Sequence, residues 1–263
     1  MGVVNVTPDS FSDGGETLDA DAAIARGRAM IAEGADIIDV GGESTRPGAA
    51  PLDPKDEIAR VLPVIRALAF EGAVVSVDTC HAAVITAAVA EGARIVNDVS
   101  ALTAEPGSLA GAARVGAHVI LMHMKGDPRT MQDDPHYDDV VAEVAAYLAG
   151  RIEACVRAGI PRAKIAVDPG IGFGKTVAHN VALIANLKSL KALGCPVVLG
   201  VSRKSFIGKL SRGEPPKARL AGSLAAALAG IARGADIVRV HDVAETRQAL
   251  AVAAAISEGG RAC

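Results

Sequence analysis

Acidic and amide side chains end several short apolar runs of this sequence. Asp78 and Asp168 each follow a run rich in valine and isoleucine, and Asn97 follows a third. A carboxylate in such surroundings costs free energy unless it is paired or binds a ligand, and an asparagine amide offers both a donor and an acceptor. Two carboxylates and an amide in one site would suit a flat heterocycle that bears amino and amide groups. Taken singly, each residue is more often an ordinary helix N-cap.

Basic side chains form a second group. Arg239 and His241 are separated by one residue of an apolar run, so they point to the same side of a strand. Lys204 follows another run, and Arg46 lies in a glycine-rich segment. These residues predict an anion site, since the loops after the last strands of a (β/α)₈ barrel commonly bind phosphate. The alternative is that Arg239 pairs with a neighbouring carboxylate such as Asp242.

Three of the four phenylalanines, Phe11, Phe173 and Phe206, lie in polar segments where a core does not need them. We expect these rings to face a ligand, with ordinary anchoring of a loop as the alternative.

A recurring pattern reveals the elements that must position these side chains. Short runs of valine and isoleucine alternate with longer, alanine-rich stretches of helical spacing, as at 140–156. Gly-Ala pairs, as at 34–35 and 116–117, predict the end of a helix followed by a strand. Continuous apolar runs are typical of parallel strands covered on both faces. The runs are 3–6, 37–40, 74–77, 95–96, 119–122, 165–167, 197–201 and 237–240.

Alternating strands and helices predict a parallel sheet, either an open doubly wound sheet or a closed barrel. A doubly wound sheet has a single crevice for ligands, whereas a barrel places functional groups after many of its strands. Nearly every run here ends in a polar or charged residue, Asn5 and Asp39 among them. We therefore expect an α/β protein that is a (β/α)₈ TIM barrel. It would be one domain over residues 1–263, with the first strand at the extreme N-terminus.

Composition excludes several classes of protein. Of 263 residues, 50% are hydrophobic and 22% are charged, which suffices for a full core and excludes intrinsic disorder. A formal net charge of -3 and an aromatic content of 2% give no footprint for nucleic acid. No run reaches the ~20 residues of a membrane span and no signal peptide is visible, so we expect a soluble, cytoplasmic protein. The four scattered cysteines are expected to be reduced thiols, neither zinc ligands nor a disulfide framework.

Longer motifs cover nearly the whole sequence in order. They are Asn5–Gly15 (NVTPDSFSDGG), Gly41–Gly48 (GGESTRPG), Ser76–Thr79 (SVDT), Asn97–Ser100 (NDVS), Leu121–Met124 (LMHM), Asp168–Lys175 (DPGIGFGK), Ser202–Gly208 (SRKSFIG) and Arg239–Asp242 (RVHD). In these motifs the sequence resembles the dihydropteroate synthase family of folate biosynthesis. That family usually has further residues before the first strand, whereas this sequence starts inside that strand, so the resemblance implies a truncated start.

The resemblance implies a (β/α)₈ barrel transferase. Its reaction would condense (7,8-dihydropterin-6-yl)methyl diphosphate with 4-aminobenzoate, giving 7,8-dihydropteroate and diphosphate with the help of Mg²⁺. Its partners would be these small molecules, not nucleic acid or a membrane, and the family implies a homodimer. The small-residue stretch 221–230 could allow close helix packing between subunits, or could pack on its own barrel.

The resemblance also assigns roles to residues of this sequence. The pterin would be held by Asp78, Asn97, Asp168 and Lys204, with Arg239 stacked on its ring. The diphosphate would be held by Asn5, Arg46, Arg239 and His241, and Asn5 would also meet the metal. The 4-aminobenzoate side would be formed by Thr45, Pro47, Phe173, Lys204 and Ser205. Asp13 would close over the site, and the catalytic set would be Asp13, Arg46, Lys204, Arg239 and His241.

Such residues suit a substitution in which the leaving group departs first. The aniline nitrogen is a neutral nucleophile and needs no strong general base. Departure of the diphosphate is the difficult step, and cations and a metal stabilise its developing charge. A carboxylate such as Asp168 would stabilise a cationic pterin-methyl species. We therefore expect an SN1-like order of events.

Three other functions stay open at the level of sequence. A folate-dependent methyltransferase barrel would need the pterin carboxylates but not the cations Arg46, Arg239 and His241. A non-catalytic paralogue would not need intact motifs. A phosphosugar enzyme would not need so many polar groups at strand ends.

Overall fold

The computed structural model describes residues 1–6, 16–43, 52–127 and 130–259, with the backbone alone for residues 16–19. In these residues eight strands alternate with helices. The strands are β1 (Gly2–Asn5), β2 (Ile38–Gly41), β3 (Val75–Asp78), β4 (Ile95–Asp98), β5 (His118–Met122), β6 (Ile165–Asp168), β7 (Val198–Gly200) and β8 (Ile237–Arg239). The helices are α1 (Glu16–Ala32), α2 (Pro54–Phe70), α3 (Ala82–Ala90), α4 (Ser108–Val115), α5 (Val140–Arg157), α6 (Val177–Ala185), α7 (Leu187–Lys191), α8 (Ser205–Leu210), α9 (Leu220–Ile231) and α10 (Val243–Gly259).

The strands form one closed parallel sheet. β1 to β6 pair in sequence order, and β7 pairs with β8. A bridge between Val167 and Val197 joins β6 to the start of β7, and a bridge between Gly2 and Val240 joins β8 to β1. The Val3 amide donates to the Val240 carbonyl at 3.0 Å across this second junction. The order β1 to β8 and back to β1 is that of a (β/α)₈ barrel, so the predicted fold class is confirmed.

Apolar side chains pack against both faces of the sheet, inside the barrel and beneath the helices. Inside it, Met1, Ile120 and Val198 pack together with partly buried residues near the amino ends of the strands. Outside it, helix residues such as Leu68 and Leu148 are fully buried against the strands. Burying one such side chain contributes ~1.5–3 kcal/mol. The well-packed base leaves the carboxyl ends of the strands for polar groups.

Helix α5 illustrates how local sequence sets these elements. Its N-cap, Asp139, accepts hydrogen bonds from the amides of Val141 and Ala142 at 2.9 and 3.0 Å, which satisfies donors that the first turn leaves unpaired. Apolar residues three or four apart, from Val140 to Cys155, are buried on one face. The predicted helix 140–156 is therefore confirmed.

The structure overturns one expectation about an aromatic residue. Phe206, in α8, is 5% exposed and packs in the hydrophobic core, so it does not face a ligand. Phe11 lies outside the described residues. None of the helices in the described parts of the chain has the length and apolar character needed to cross a membrane.

Candidate active site

Side chains from four strands form one hydrogen-bonded cluster that contains a guanidinium. Arg239, the last residue of β8, places Nε 2.6 Å from Asp39 Oδ2 and Nη2 2.6 Å from Asp78 Oδ2. Asn97 on β4 donates its amide to the same Asp39 oxygen at 3.0 Å. Asp39 and Arg239 are 200 positions apart in the sequence. Barrel closure therefore brings the predicted residues Asp78, Asn97 and Arg239 together.

Asp39 is a site residue that the sequence assignment missed. Its side chain is fully buried, and its Oδ1 has no hydrogen-bond partner among the described residues. Ile37, two residues earlier, packs inside the barrel, and alternate residues of a strand face the same side. Leaving a buried acceptor unpaired costs about 1–3 kcal/mol, so this oxygen is suited to accept from a ligand. The alternation along β2 was the signal that could have identified it.

The surroundings shift the pKa values of both Asp78 and Arg239. Burial raises the pKa of Asp78 to about 7, against the opposing effect of Arg239. Burial alone would lower the pKa of Arg239, but Asp39 and Asp78 raise it above its usual value. The guanidinium is thus always charged and is shared by two carboxylates. This side of the site is rich in acceptors for the N–H groups of a ligand.

Asp168 and Lys204 face the same space from β6 and from the start of α8. A Cβ atom on Gly200 of β7 would lie 3.9 Å from Asp168 Oδ2 and 4.0 Å from Arg239 Cβ. Burial raises the pKa of Asp168, and its Oδ1 accepts from the Gly170 amide at 2.7 Å. Burial lowers the pKa of Lys204 to about 8, with Asp168 opposing that shift. Asp168, Lys204 and Arg239 therefore converge as predicted.

Phe173 lies beside this lysine. The Lys204 ammonium stands 4.1 Å from the centre of the Phe173 ring, a cation–π contact. Gly172 also lies beside this lysine, since a Cβ there would lie 3.4 Å from Lys204 Cδ. The prediction that Phe173 belongs to the site agrees with this placement, and Ser205 follows as the exposed first residue of α8.

Lys175 and His123 stabilise the Asp168–Lys175 loop. The sequence analysis gave neither residue a role. Lys175 is buried, with Nζ 2.9 Å from His123 Nδ1 and 2.9 Å from the Phe173 carbonyl. Burial lowers the pKa of Lys175 to about 7 and that of His123 to about 3. At Gly170, with φ +67°, a Cβ would lie 1.9 Å from the His123 carbonyl oxygen, so glycine is required. These contacts fix the loop that carries Phe173.

His241 differs from the sequence expectation. It was grouped with the cations, but burial, together with Arg203 and Arg239, lowers its pKa to about 4. The ring is therefore neutral near pH 7, with Nδ1 3.0 Å from the Ser202 hydroxyl. If Nδ1 accepts from that hydroxyl, Nε2 carries the proton and can donate to an anion.

Arg239 does pair with carboxylates, as the alternative suggested, but Asp242 is not one of them. Asp242 instead pairs with Arg203, whose Nε lies 3.0 Å from Asp242 Oδ2. Arg239 uses Nε and Nη2 for Asp39 and Asp78, which leaves Nη1 for another acceptor.

Five predicted residues remain, Asn5 and four others. Asn5 ends β1, beside the junction with β8, and is partly exposed. Asp13, Thr45, Arg46 and Pro47 lie outside the described residues.

The barrel and its rim of paired acids and bases match a known class of protein. Residues 1–241 match the family described as pterin binding enzyme, and the chain belongs to that family. The chain is 49% identical over 253 residues to the dihydropteroate synthase of Escherichia coli (strain K12), an alignment that covers 96% of this chain and 89% of the relative.

Solved structures of similar chains carry the same name. The Xanthomonas albilineans dihydropteroate synthase with 4-aminobenzoic acid is 51% identical, with a TM-score of 0.92 over 98% of this chain and 92% of that one. The same enzyme in complex with 7,8-dihydropteroate is 48% identical, with a TM-score of 0.89 and the same coverage.

Proposed function

We propose that this chain is a transferase of folate biosynthesis that condenses (7,8-dihydropterin-6-yl)methyl diphosphate with 4-aminobenzoate, giving 7,8-dihydropteroate and diphosphate. One observation carries the proposal: Asp78, Asn97, Asp168, Lys204 and Arg239 surround one space at the carboxyl end of the barrel. Relatives named for this activity are about half identical to the chain, and solved relatives hold 4-aminobenzoic acid or 7,8-dihydropteroate.

The pterin is the ligand that fits the acidic side. Its amino and ring N–H groups would donate to the carboxylates of Asp78 and Asp168 and to the unpaired oxygen of Asp39. Asn97 adds an amide to this rim, and the guanidinium of Arg239 offers a flat face for stacking on the ring.

The 4-aminobenzoate fits between Phe173 and Lys204. The ring of Phe173 provides an apolar wall, and the Lys204 ammonium beside it can bridge the two substrates. Thr45, Pro47 and Ser205 complete this side in the proposal.

The diphosphate would be held by Asn5, Arg46, Arg239 and His241. Nη1 of Arg239 and Nε2 of His241 are the donors that the internal contacts leave for it. The side-chain amide of Asn5 makes no hydrogen bond to another described residue. Its oxygen fits Mg²⁺, a hard cation that takes few protein ligands and keeps substrate phosphates and water. When bound, Mg²⁺ stabilises negative charge on the leaving diphosphate.

We further propose that the diphosphate leaves before the amine attacks. Arg239 and the neutral His241 donate to the departing group, while Asp168 stabilises positive charge on the pterin-methyl group. Asp13 and Arg46 would close over the site and exclude water. If the enzyme with pterin diphosphate and Mg²⁺ never releases diphosphate until 4-aminobenzoate is added, this order of events is wrong.

The test of the function is a coupled assay for 7,8-dihydropteroate. The complete mixture is expected to turn over, and omission of either substrate or of Mg²⁺ is expected to abolish product. Absence of product from the complete mixture, with folded protein, would favour a non-catalytic paralogue. Methyl transfer from a folate without use of the diphosphate would favour the methyltransferase.

We also propose a homodimer in the cytoplasm. Helices α6, α8 and α9 line an apolar groove in which Val181 and Leu210 are 43% and 60% exposed, and a second copy would cover these side chains. The three described cysteines are free thiols, as expected in a reducing compartment. Leu210→Glu should shift the sedimentation coefficient to that of a monomer, whereas Phe70→Glu, at a 92% exposed site far along the chain, should not. A wild-type monomer would refute the dimer.

A further inference from the structure

Three side chains of different chemistry meet beside the rim, outside the pterin site. Glu43 follows β2, and Cys80 and His81 lie between β3 and α3. One carboxylate oxygen, the thiol sulfur and one imidazole nitrogen all lie within 4.8 Å of one another. All three residues are partly exposed, so an ion could enter from solvent.

Glu57 fixes the orientation of the imidazole. Its Oε2 lies 2.7 Å from His81 Nδ1, and the Glu57 side chain is fully buried in α2. This contact leaves Nε2 as the nitrogen that can bind a ligand. A carboxylate behind a metal-binding histidine is a common arrangement that sets the ring orientation and raises the basicity of the ligand. The contact with Glu57 therefore preorganises His81 as a metal ligand.

The charge around the cluster is negative. Glu105 adds a third carboxylate, with Oε1 3.9 Å from His81 Nε2 and Oε2 accepting from the Ala82 amide at 3.0 Å. Among the described residues, no lysine or arginine forms an ion pair with Glu43, Glu57 or Glu105. A divalent cation would be attracted to this excess of negative charge.

We infer that Glu43, Cys80 and His81 form a binding site for Zn²⁺, with the fourth position open to water or to Glu105. One sulfur, one nitrogen and one oxygen donor suit Zn²⁺, whereas Mg²⁺ and Ca²⁺ take oxygen ligands. Zinc–ligand distances of about 2.0–2.3 Å need the three side chains to close by roughly an ångström. Sequence spacing alone did not mark Cys80, because Glu43 follows a different strand.

Zinc at this position would lie next in the sequence to residues that the proposed function assigns to substrate binding. Glu43 directly precedes residues 44–51, which include Thr45 and Arg46, and Cys80 is two residues beyond Asp78. We expect bound Zn²⁺ to lower turnover. This effect on activity rests on the proposed function, whereas binding of the metal does not.

The test uses the full chain, stripped of metal with a chelator. Titration with Zn²⁺ against a chromophoric chelator should show one site per chain, and Co²⁺ should give the near-ultraviolet band of a cobalt–thiolate bond. Cys80→Ala should abolish that band. His81→Gln should weaken Zn²⁺ binding by at least about tenfold, as should Glu57→Gln, since loss of a histidine's carboxylate partner typically costs 10–100-fold in affinity.

Matched controls separate loss of a ligand from loss of the fold. Cys195→Ala removes a thiol elsewhere, and His118→Gln removes an exposed histidine at the start of β5; both should bind Zn²⁺ like the wild type. The proposal is overturned if Co²⁺ gives no thiolate band, or if Cys80→Ala and wild type bind Zn²⁺ equally. It is also overturned if the Cys195→Ala control loses the band as completely as Cys80→Ala.

Discussion

On one side of the site, Arg239 places two nitrogens 2.6 Å from the carboxylates of Asp39 and Asp78. We call these three residues and Asn97 the arginine half. Every charge there has a partner at hydrogen-bond distance, and the guanidinium does not titrate near neutral pH.

On the other side, Lys204 lies over the ring of Phe173, and Lys175 binds His123 and a backbone carbonyl. We call Asp168, His123 and these two lysines the lysine half. Neither lysine forms an ion pair in the described part of the chain, and burial lowers the pKa values to about 8 and about 7. The cation of the arginine half is thus charged throughout the physiological pH range, whereas the two cations of the lysine half titrate near neutral pH.

The largest effect should follow from removing the shared cation. Arg239→Met leaves the buried Asp39 and the partly buried Asp78 without a counter-charge. The free energy of unfolding should therefore fall by about 3–5 kcal/mol, with loss of turnover. Urea denaturation at pH 7 measures the change, and Arg114→Met, at an exposed arginine, is the control. Equal stability of the two variants would show that the arginine half is not held by these pairs.

The next effect should come from Lys204. Lys204→Ala should cut turnover by roughly 10² or more, because the proposed function places this cation beside the reacting centre. Its free energy of unfolding should change little, since no ion pair is broken. Steady-state kinetics measure the effect, with Lys209→Ala on the exposed side of α8 as the control. Near-normal kinetics of a folded Lys204→Ala variant would remove this lysine from the mechanism.

A smaller effect is expected from Lys175, whose ammonium contacts His123 and the Phe173 carbonyl. Lys175→Met leaves the Phe173 carbonyl and His123 without their donor, so the free energy of unfolding should fall by about 1–3 kcal/mol. Lys188→Met, at an exposed site on α7, should leave stability unchanged. A Lys175→Met variant as stable as that control would mean that these hydrogen bonds do not hold the loop.

The smallest effect is on the pH profile. Because burial lowers the pKa of Lys204 to about 8, the ammonium loses its proton as pH rises through that value. The ratio kcat/KM of the free enzyme should therefore fall above about pH 8, by about tenfold for each further unit. In Lys204→Arg the side chain stays charged, and the alkaline fall should disappear. A profile that is the same in both proteins would assign the fall to another group.

Much of the fold could be predicted from the sequence, because strands buried on both faces must be apolar throughout. The runs at 119–122 and 165–167 correspond to β5 and β6. Gly34 and Gly116 end helices with φ values of +96° and +66°, as the Gly-Ala pairs predicted. Polar strand ends favoured a closed barrel, and closure then explained why Asp78, Asp168 and Arg239 share a site.

Partner choice and protonation could not be predicted, because both depend on the three-dimensional surroundings. Arg239 binds Asp39, 200 positions away, and not Asp242, because the barrel closes between β8 and β1. His241 is neutral because it is buried beside Arg203 and Arg239. The sequence shows neither the distance nor the burial. The burial of Phe206 could not be predicted either, because a polar segment can still contribute one side chain to the core.

The bond between Arg239 and Asp39 spans the junction where the first and last strands of the barrel meet. During synthesis Asp39 and Asp78 leave the ribosome long before Arg239. Until the arginine emerges, these two carboxyl groups are either solvated or protonated. Completion of the substrate pocket and closure of the cylinder are consequently a single event. A nascent chain that stalls before β8 would therefore be completely inactive.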